Sequence, residues 1–343
     1  MPSTAPRISL SPLSHPEPER SELPRDSRPC RLEPTLCCLC GIEDAIPIAV
    51  GEDFEYRTCP DTFLMVRCQR CGLLYLDPRP TEEELGRIYP DDYHAFQFDP
   101  SSFGLVYRVR QRIDLDRLRM WCGSLPKNAR ILDVGCGDGF HLHLLHRFSR
   151  PGWIMEGVDT DPRAINAAKR HGLAVLQGKI EDLDLPVESY DLILLIMTIE
   201  HVGDPLGLLR RVWQLLRPGG RVVIVTDNTD SPDFSIFQGR HWGGYHFPRH
   251  WNLFSQATLR LLAKRTDFHV EHLGTSFSPV NLVYSMRNLL VDWGFPRWWY
   301  DRFSLKSALT LAAGTIFDVL LNMVGRGAIL FARFQKPRQK DEG

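Results

Sequence analysis

Residues 130–139 read Arg-Ile-Leu-Asp-Val-Gly-Cys-Gly-Asp-Gly, an apolar run passing directly into three glycines at alternate positions, Gly135, Gly137 and Gly139. The run has the character of a strand, and the glycines let the backbone after it turn tightly and come close to a ligand. A carboxylate, Asp159, ends the next apolar run, about twenty positions on, where an acidic side chain is placed to take the two hydroxyls of a ribose. Phe140 stands where the dinucleotide fingerprint has a further glycine, so the spacing suits a nucleoside and speaks against nicotinamide.

Strands and helices alternate downstream. Residues 153–159 read as a second strand, and Asp161-Pro162 supply a cap and a first-turn proline for a helix over 163–170 that Gly172 stops. Residues 173–177 form a third strand. The nearly unbroken apolar run 190–197 is expected of a strand buried on both faces. A helix over 206–216 closes at Arg217-Pro218-Gly219-Gly220, and 221–226 is a fifth strand. The implied fold is α/β, a doubly wound parallel sheet with its ligand at the carboxyl ends of the strands.

At this point the chain resembles the class I S-adenosylmethionine-dependent methyltransferases. The likeness covers about 123–335 and rests on motifs in order: Leu132-Asp133-Val134-Gly135-Cys136-Gly137, Gly157-Val158-Asp159, Ile180-Glu181-Asp182-Leu183, Tyr190-Asp191-Leu192-Ile193, Glu200-His201-Val202 and Leu216-Arg217-Pro218-Gly219-Gly220. It implies a Rossmann-like sheet that binds S-adenosylmethionine through Asp133, Gly135, Gly137, Gly139, Asp159 and Asp182. The methionine portion would lie on the glycines, the ribose on Asp159 and the adenine near Asp182. Methyl transfer from a sulfonium is an in-line displacement, so it demands alignment and, for a weak nucleophile, a base.

A second signal is a pair of Cys-x-x-Cys-Gly knuckles, Cys37 with Cys40 and Cys68 with Cys71. Four thiolates from two tight turns suit a structural, tetrahedral zinc ion, giving an N-terminal zinc ribbon. Cys38 is an alternative to Cys37 as ligand, and Cys59, between the knuckles, is left out.

Composition orders the rest. Residues 1–36 hold eight prolines and six serines with no apolar period, which predicts a disordered tail. The absence of an apolar secretory run and the reduced cysteine pairs point to the cytoplasm. A net charge of −1 argues against a nucleic-acid footprint over the whole surface. The expected organisation is tail 1–36, ribbon 37–80, helical linker 81–122, methyltransferase domain 123–335 with an insertion at 279–326, and tail 336–343. In the linker, Thr81 and Glu84 form a capping-box pattern. A helix over 103–121 carries Leu105, Val109 and Ile113 at four-residue spacing. The segment from Tyr89 to Tyr93 adds a likeness to sugar C-methyltransferases that have a ribbon, a linker and this domain.

Acceptor-side candidates cluster in 238–254, which contains His241, Trp242, Tyr245, His246, His250 and Trp251. Imidazoles in a loop at the end of a parallel strand can act as bases near neutral pH. The sugar enzymes have a tyrosine and a histidine in a similar loop, which marks Tyr245, His246 and His250 as catalytic candidates. His201 is a fourth. Ubiquinone-pathway O-methyltransferases are similar around Glu200-His201 but complete a metal site with a glutamate where this chain has Met197. A catalytic metal is therefore not implied by the pattern.

The insertion separates what read as the last two strands, 268–274 and 328–334. It contains Trp293, Trp298, Trp299 and Tyr300, then an apolar stretch over 308–324 that is too short to span a bilayer and carries Asp318. As a helix it puts Leu309, Ile316, Leu320 and Met323 on one face and Thr315, Asp318 and Asn322 on the other. Three readings follow: a lid over the acceptor, which is favoured, a dimer contact, or peripheral membrane contact through 281–325. The leading function is methylation of carbon or oxygen of a small-molecule acceptor, such as a sugar, a natural product or an isoprenoid. The alternative is a non-catalytic module that senses the cofactor or binds nucleic acid or protein through the ribbon.

Overall fold

The computed structural model describes residues 25–91, 93 and 100–338. The proposed tail 1–36 lies outside the described residues up to residue 24, and the C-terminal tail does so from 339. From residue 25 the chain is built into the fold, which corrects the expected disorder. Strand β1 (Leu32–Glu33) pairs antiparallel with β5 (Arg79–Pro80), and the Cys30 amide donates to Asp61 Oδ2 at 2.7 Å.

The cysteine-rich part contributes β2 (Ala45–Glu52), β3 (Thr62–Cys68) and β4 (Leu74–Leu76). After β5 come a single 3-10 turn over Glu82–Glu84 and the short helix α1 (Leu85–Ile88). The capping box does not form. Thr81 makes no capping bond, because Glu84 is turned toward Arg87, at 3.1 Å, and the Arg31 amide, at 3.3 Å. Helix α2 (Pro100–Cys122) is interrupted at Gly104, whose φ of 48° is not helical. Its inward face is Leu115, Leu118, Trp121 and Cys122, whereas Leu105 and Val109 are exposed. The expected four-residue stripe is therefore not the packing face.

The main sheet begins with β6 (Arg130–Val134), then α3 (Phe140–His146), β7 (Ile154–Asp159), α4 (Pro162–Arg170), β8 (Val175–Gln177), β9 (Tyr190–Ile196), α5 (Pro205–Leu215) and β10 (Leu216–Asp227). The Asp161 carboxylate accepts from the Arg163 amide and Pro162 opens α4, as expected. Tyr190 through Leu195 are buried, since helices cover both faces of β9. Helix α6 (Pro232–Phe237), β11 (Asn252–Leu253) and α7 (Gln256–Arg265) lead to β12 (His269–Ser276). The insertion folds as α8 (Val280–Asp292), α9 (Arg297–Tyr300) and α10 (Ala308–Met323), after which β13 (Ile329–Gln335) returns between β10 and β12.

The seven strands lie in the order β12-β13-β10-β9-β6-β7-β8. All pairings from β10 to β8 are parallel, and β13 runs antiparallel to both its neighbours. The order doubles back at β6, so the crevice opens beyond the carboxyl ends of β6, β7 and β9. A second sheet, β11-β4-β3-β2, takes its edge strand from the loop after β10. The cysteine-rich part and the acceptor-side loop are thereby one packed unit, where the sequence suggested a separate module.

Candidate active site

The glycine loop leaves β6 with Gly135, Gly137 and Gly139 all at positive φ, 73°, 55° and 84°. At Gly139 a Cβ would stand 2.2 Å from Leu173 Cδ1, and at Gly135 one would stand 2.6 Å from Thr198 Oγ1. Side chains are excluded twice over there, by conformation and by space. Asp159 ties the loop down: its Oδ2 accepts from the Gly137 amide and its Oδ1 from the Asp161 amide, each at 2.9 Å. Burial pushes the Asp159 carboxyl up, against the pull of those two amides. Asp133 is buried, and among the described residues its Oδ2 has no hydrogen-bond partner. Burial, with the nearby Asp159 charge, pushes it up to about 8. An orphaned buried carboxylate and a cradle that a Cβ would fill fit a ligand bearing donor groups. Asp182 stands exposed beyond β8, its amide bonded to the Lys179 carbonyl.

On the other side of the crevice, β9 is followed by Thr198-Ile199-Glu200-His201 and β10 ends in Thr226-Asp227. The His201 ring lies 4.6 Å from the His250 ring and 6.4 Å from the His246 ring, centroid to centroid. His201 Nδ1 is 3.1 Å from the Arg249 carbonyl oxygen and 2.9 Å from Tyr89 Oη. His250 Nδ1 is 2.8 Å from the Gly244 carbonyl oxygen and 3.3 Å from Asp227 Oδ2. His246 Nδ1 is 2.8 Å from Glu55 Oε1. Thr226 donates to Glu200 Oε2 at 2.9 Å, while Glu200 Oε1 has no hydrogen-bond partner among the described residues.

These environments separate three similar rings. Burial, then the neighbouring imidazoles, holds His201 well below the ordinary histidine range; burial and Arg249 do the same for His246. Burial also opposes charge on His250, but its bond to Asp227 and the charges of Asp227 and Glu200 prevail and raise it. Burial lifts Glu200 to about 7, with His250 pulling the other way. The cluster therefore pairs a neutral His201 with a His250 whose charged form its surroundings favour.

The cluster is roofed by Tyr89 and Tyr93, noted in the sequence only for a family likeness, and by residues that sequence reasoning passed over. Tyr89 and Tyr93 stack edge to face at 5.0 Å, and Tyr56 meets Tyr93 at 5.6 Å. Arg249 is fully buried and forks onto Asp53, with contacts of 3.1 and 2.7 Å, while its Nε donates to the Ile88 carbonyl at 2.7 Å. Asp53, Glu55 and Tyr56 belong to the turn between β2 and β3. The only signal in the sequence was a charged stretch between the knuckles.

Of the catalytic candidates, His201, His246 and His250 converge and Tyr245 does not. Tyr245 Oη bonds the Gln238 carbonyl, and its ring packs against Phe247 at 5.1 Å and Trp242 at 5.2 Å. Met197 is half exposed, yet Glu200, His201 and His250 each place a ligand-type atom within 4.8 Å of the others. His250 thus reaches in space the group that the sequence placed only in a distant loop.

The four knuckle thiols also converge, all within 4.8 Å of one another, with Cys37 and Cys71 Sγ 3.5 Å apart. Gly41 and Gly72 turn at φ 67° and 80°, and their amides donate to the carbonyls of Cys37 and Cys68. Cys38 points elsewhere, onto Asn252 Oδ1 at 3.3 Å.

Residues 106–273 match a family described as a methyltransferase domain. A ubiquinone biosynthesis O-methyltransferase of Cereibacter sphaeroides is 31% identical over 200 residues, covering 54% of this chain and 80% of the relative. One from Xanthomonas oryzae pv. oryzae is 32% identical over 115 residues, 32% of this chain and 47% of the relative. Among solved structures, a Haemonchus contortus N-methyltransferase in complex with phosphomonomethylethanolamine and S-adenosylhomocysteine shares the fold, with a TM-score of 0.51 at 18% identity, covering 86% of this chain and 69% of that one.

Proposed function

Because the chain belongs to the class I S-adenosylmethionine-dependent methyltransferases, we propose that it methylates a hydroxyl oxygen of a small aromatic acceptor, with His201 as the base. It is an enzyme, and the reading as a non-catalytic sensing module gives way to that. The observation that carries the proposal is the setting of His201. Its Nδ1 lies beside the Arg249 carbonyl, which can only accept a hydrogen bond, and the Tyr89 hydroxyl, which can accept one; a proton on Nδ1 suits both and keeps a lone pair on Nε2. A phenol-type hydroxyl ionises near pH 10 and needs such a base to become a nucleophile at neutral pH.

Bound S-adenosylmethionine would be held by Asp133, the Gly135 to Gly139 loop, Asp159 and Asp182, and it supplies an activated methyl group and a neutral thioether leaving group. His201 Nε2 takes the hydroxyl proton as the oxygen forms its bond to the methyl carbon. His250, whose charged form Asp227 favours, offers a donor to the acceptor. Tyr56, Tyr89 and Tyr93 supply aromatic walls that suit a planar ring, and the ubiquinone-pathway names of the relatives support the same acceptor class. Glu200, His201 and His250 also support a second reading in which they hold a divalent cation, which would polarise the acceptor oxygen.

The four thiols support a structural zinc. Tetrahedral Zn–S bonds of about 2.3 Å put sulfurs roughly 3.8 Å apart, which the cluster accommodates with small movements. The ion would fix β4, and through it β11 and the loop that carries His246 and His250.

The test is incubation with methyl-labelled S-adenosylmethionine and a deproteinised cell extract, with Asp159→Ala as control. Label released from the product by ether-cleaving acid supports O-methylation. Label resistant to that acid would make this a C-methyltransferase, and turnover abolished by chelators but restored by a divalent cation would favour the second reading.

A further inference from the structure

Helix α10 is inside out. Its inward face carries Gly314, Asp318 and Asn322: Gly314 lies against Pro279, Asp318 accepts from the amides of Ser278 at 2.6 Å and Ala328 at 2.9 Å, and Asn322 Oδ1 accepts from Thr275 at 2.8 Å. Its outward face is apolar, with Leu309 82%, Ile316 66%, Leu320 59% and Met323 78% exposed. These positions recur at helical spacing, so they form one stripe. The amphipathic pattern expected from the sequence is present, but the face expected to pack on the protein looks outward.

An exposed aromatic group precedes the stripe in the chain. Trp293 and Trp298 are mostly exposed, Trp298 lies 5.2 Å from Trp299, and the Arg302 guanidinium sits 5.1 and 5.4 Å from those two rings. Four cations, Arg297, Arg302, Lys306 and Arg326, lie in this segment, and all are exposed. Of its two acids, Asp318 is turned inward on backbone amides and only Asp301 is exposed, so the outward charge is positive.

From this we propose that the α9–α10 face docks on an anionic lipid bilayer. A mostly exposed apolar stripe is costly in water, and tryptophan with arginine at its border matches the interfacial belt of proteins that lie on membranes. A second protein copy would need an acidic, apolar counterpart, whereas anionic headgroups complement both features of the face at once. The helix lies in the interface and does not cross it. At 16 residues it is roughly 24 Å long, short of a hydrocarbon core of about 30 Å, and no helix among the described residues is long and apolar enough to span.

The face also borders the acceptor side. A cavity of about 100 Å³ at its edge is lined by Arg287, Arg297 and Tyr300 of the insertion together with Glu55, Tyr56 and Arg57 of the turn that roofs the histidines. Arg287 of α8 lies over the Tyr300 ring of α9 at 5.6 Å and donates to the Phe54 carbonyl at 2.9 Å, so a docked α9 would hold that turn beside the lipid. Docking stands independently of the methyl-transfer reading; that the bilayer delivers the acceptor rests on it.

The experiment sediments the full-length protein with phosphatidylcholine vesicles, with and without phosphatidylglycerol, at low and high salt. Binding to the phosphatidylglycerol vesicles, weakened by salt, is the expected result. Leu309→Gln with Ile316→Gln should lower that partition about tenfold or more at an unchanged thermal midpoint, since both side chains are already outside the core. Failure to pellet with either vesicle, indifference to phosphatidylglycerol, or equal binding by the double variant overturns the proposal. So does a lipid-free dimer that the double variant dissociates, which would assign the face to a second copy. Methyl transfer to a water-soluble acceptor, measured in parallel, keeps a failure of docking distinct from a failure of the catalytic reading.

Discussion

The Nδ1 of His201 lies 3.1 Å from the carbonyl oxygen of Arg249, an obligate acceptor, and this contact favours the tautomer of a buried, neutral imidazole in which Nε2 is left to accept a proton. Replacing His201 by alanine should lower kcat by about 10²–10⁴, the range that loss of a general base produces, while leaving cofactor affinity near that of the parent. Calorimetric titration with S-adenosylhomocysteine beside turnover measures both. Near-parental turnover of His201→Ala would remove the base assignment.

Tyr245 gives the converse case. Its hydroxyl is bonded to the Gln238 carbonyl and its ring is packed in aromatic contacts, so Tyr245→Phe should lower thermal stability and leave kcat close to that of the parent. A large loss of kcat with an unchanged midpoint would put the hydroxyl back among the reacting groups.

Arg249 and Asp53 form a buried pair that joins the turn after β2 to the histidine loop. Arg249→Met leaves an uncompensated buried carboxylate and should cost about 3–5 kcal/mol in a urea titration. Arg249→Met with Asp53→Leu should recover part of that loss, although the Asp53 bonds to Thr58 go with it. A single substitution costing under about 1 kcal/mol would show the pair to be dispensable.

The ligand-free protein should lose stability as pH rises through neutrality. Asp133, pushed up to about 8, Glu200, lifted to about 7, and the raised His250 all hold protons in the folded state that the unfolded chain releases at lower pH. His201 and His246, held well below the ordinary range, act the opposite way until the unfolded chain has also lost its histidine protons; above about pH 6.5 the folded state binds more protons and the unfolding free energy falls. Asp53 behaves oppositely: burial would raise it, but Arg249 prevails and holds it at about 2, so its contribution is lost only in strong acid. Urea titrations at about pH 7 and 8.5, above the ordinary histidine range, should show the decline, and Asp133→Asn should flatten it. Stability that rises across this window would contradict the assignment.

Zinc is testable residue by residue. Purified protein should carry close to one equivalent of zinc. Cys71→Ser should lose it together with thermal stability, whereas Cys38→Ser, whose thiol points to Asn252, should keep it. Retention of the metal by Cys71→Ser would break the four-thiol assignment.

The sequence by itself determined the sheet. Alternating apolar runs and caps located its strands, and the glycine loop with Asp159 marked the cofactor side, because these features depend on backbone conformation and local periodicity. It also set the two knuckles, whose geometry is encoded over five residues each. Only the tertiary structure decided which face of α2 packs and that the turn carrying Asp53, Glu55 and Tyr56 roofs the histidines of a loop about 190 residues away. It also sent Tyr245 into packing, brought His250 to Glu200 and His201, and turned the apolar stripe of α10 outward. The physical reason is that local patterns specify which side of an element is apolar, but the partner that covers that side, and the burial that shifts a proton, arise from contacts between residues far apart in the chain.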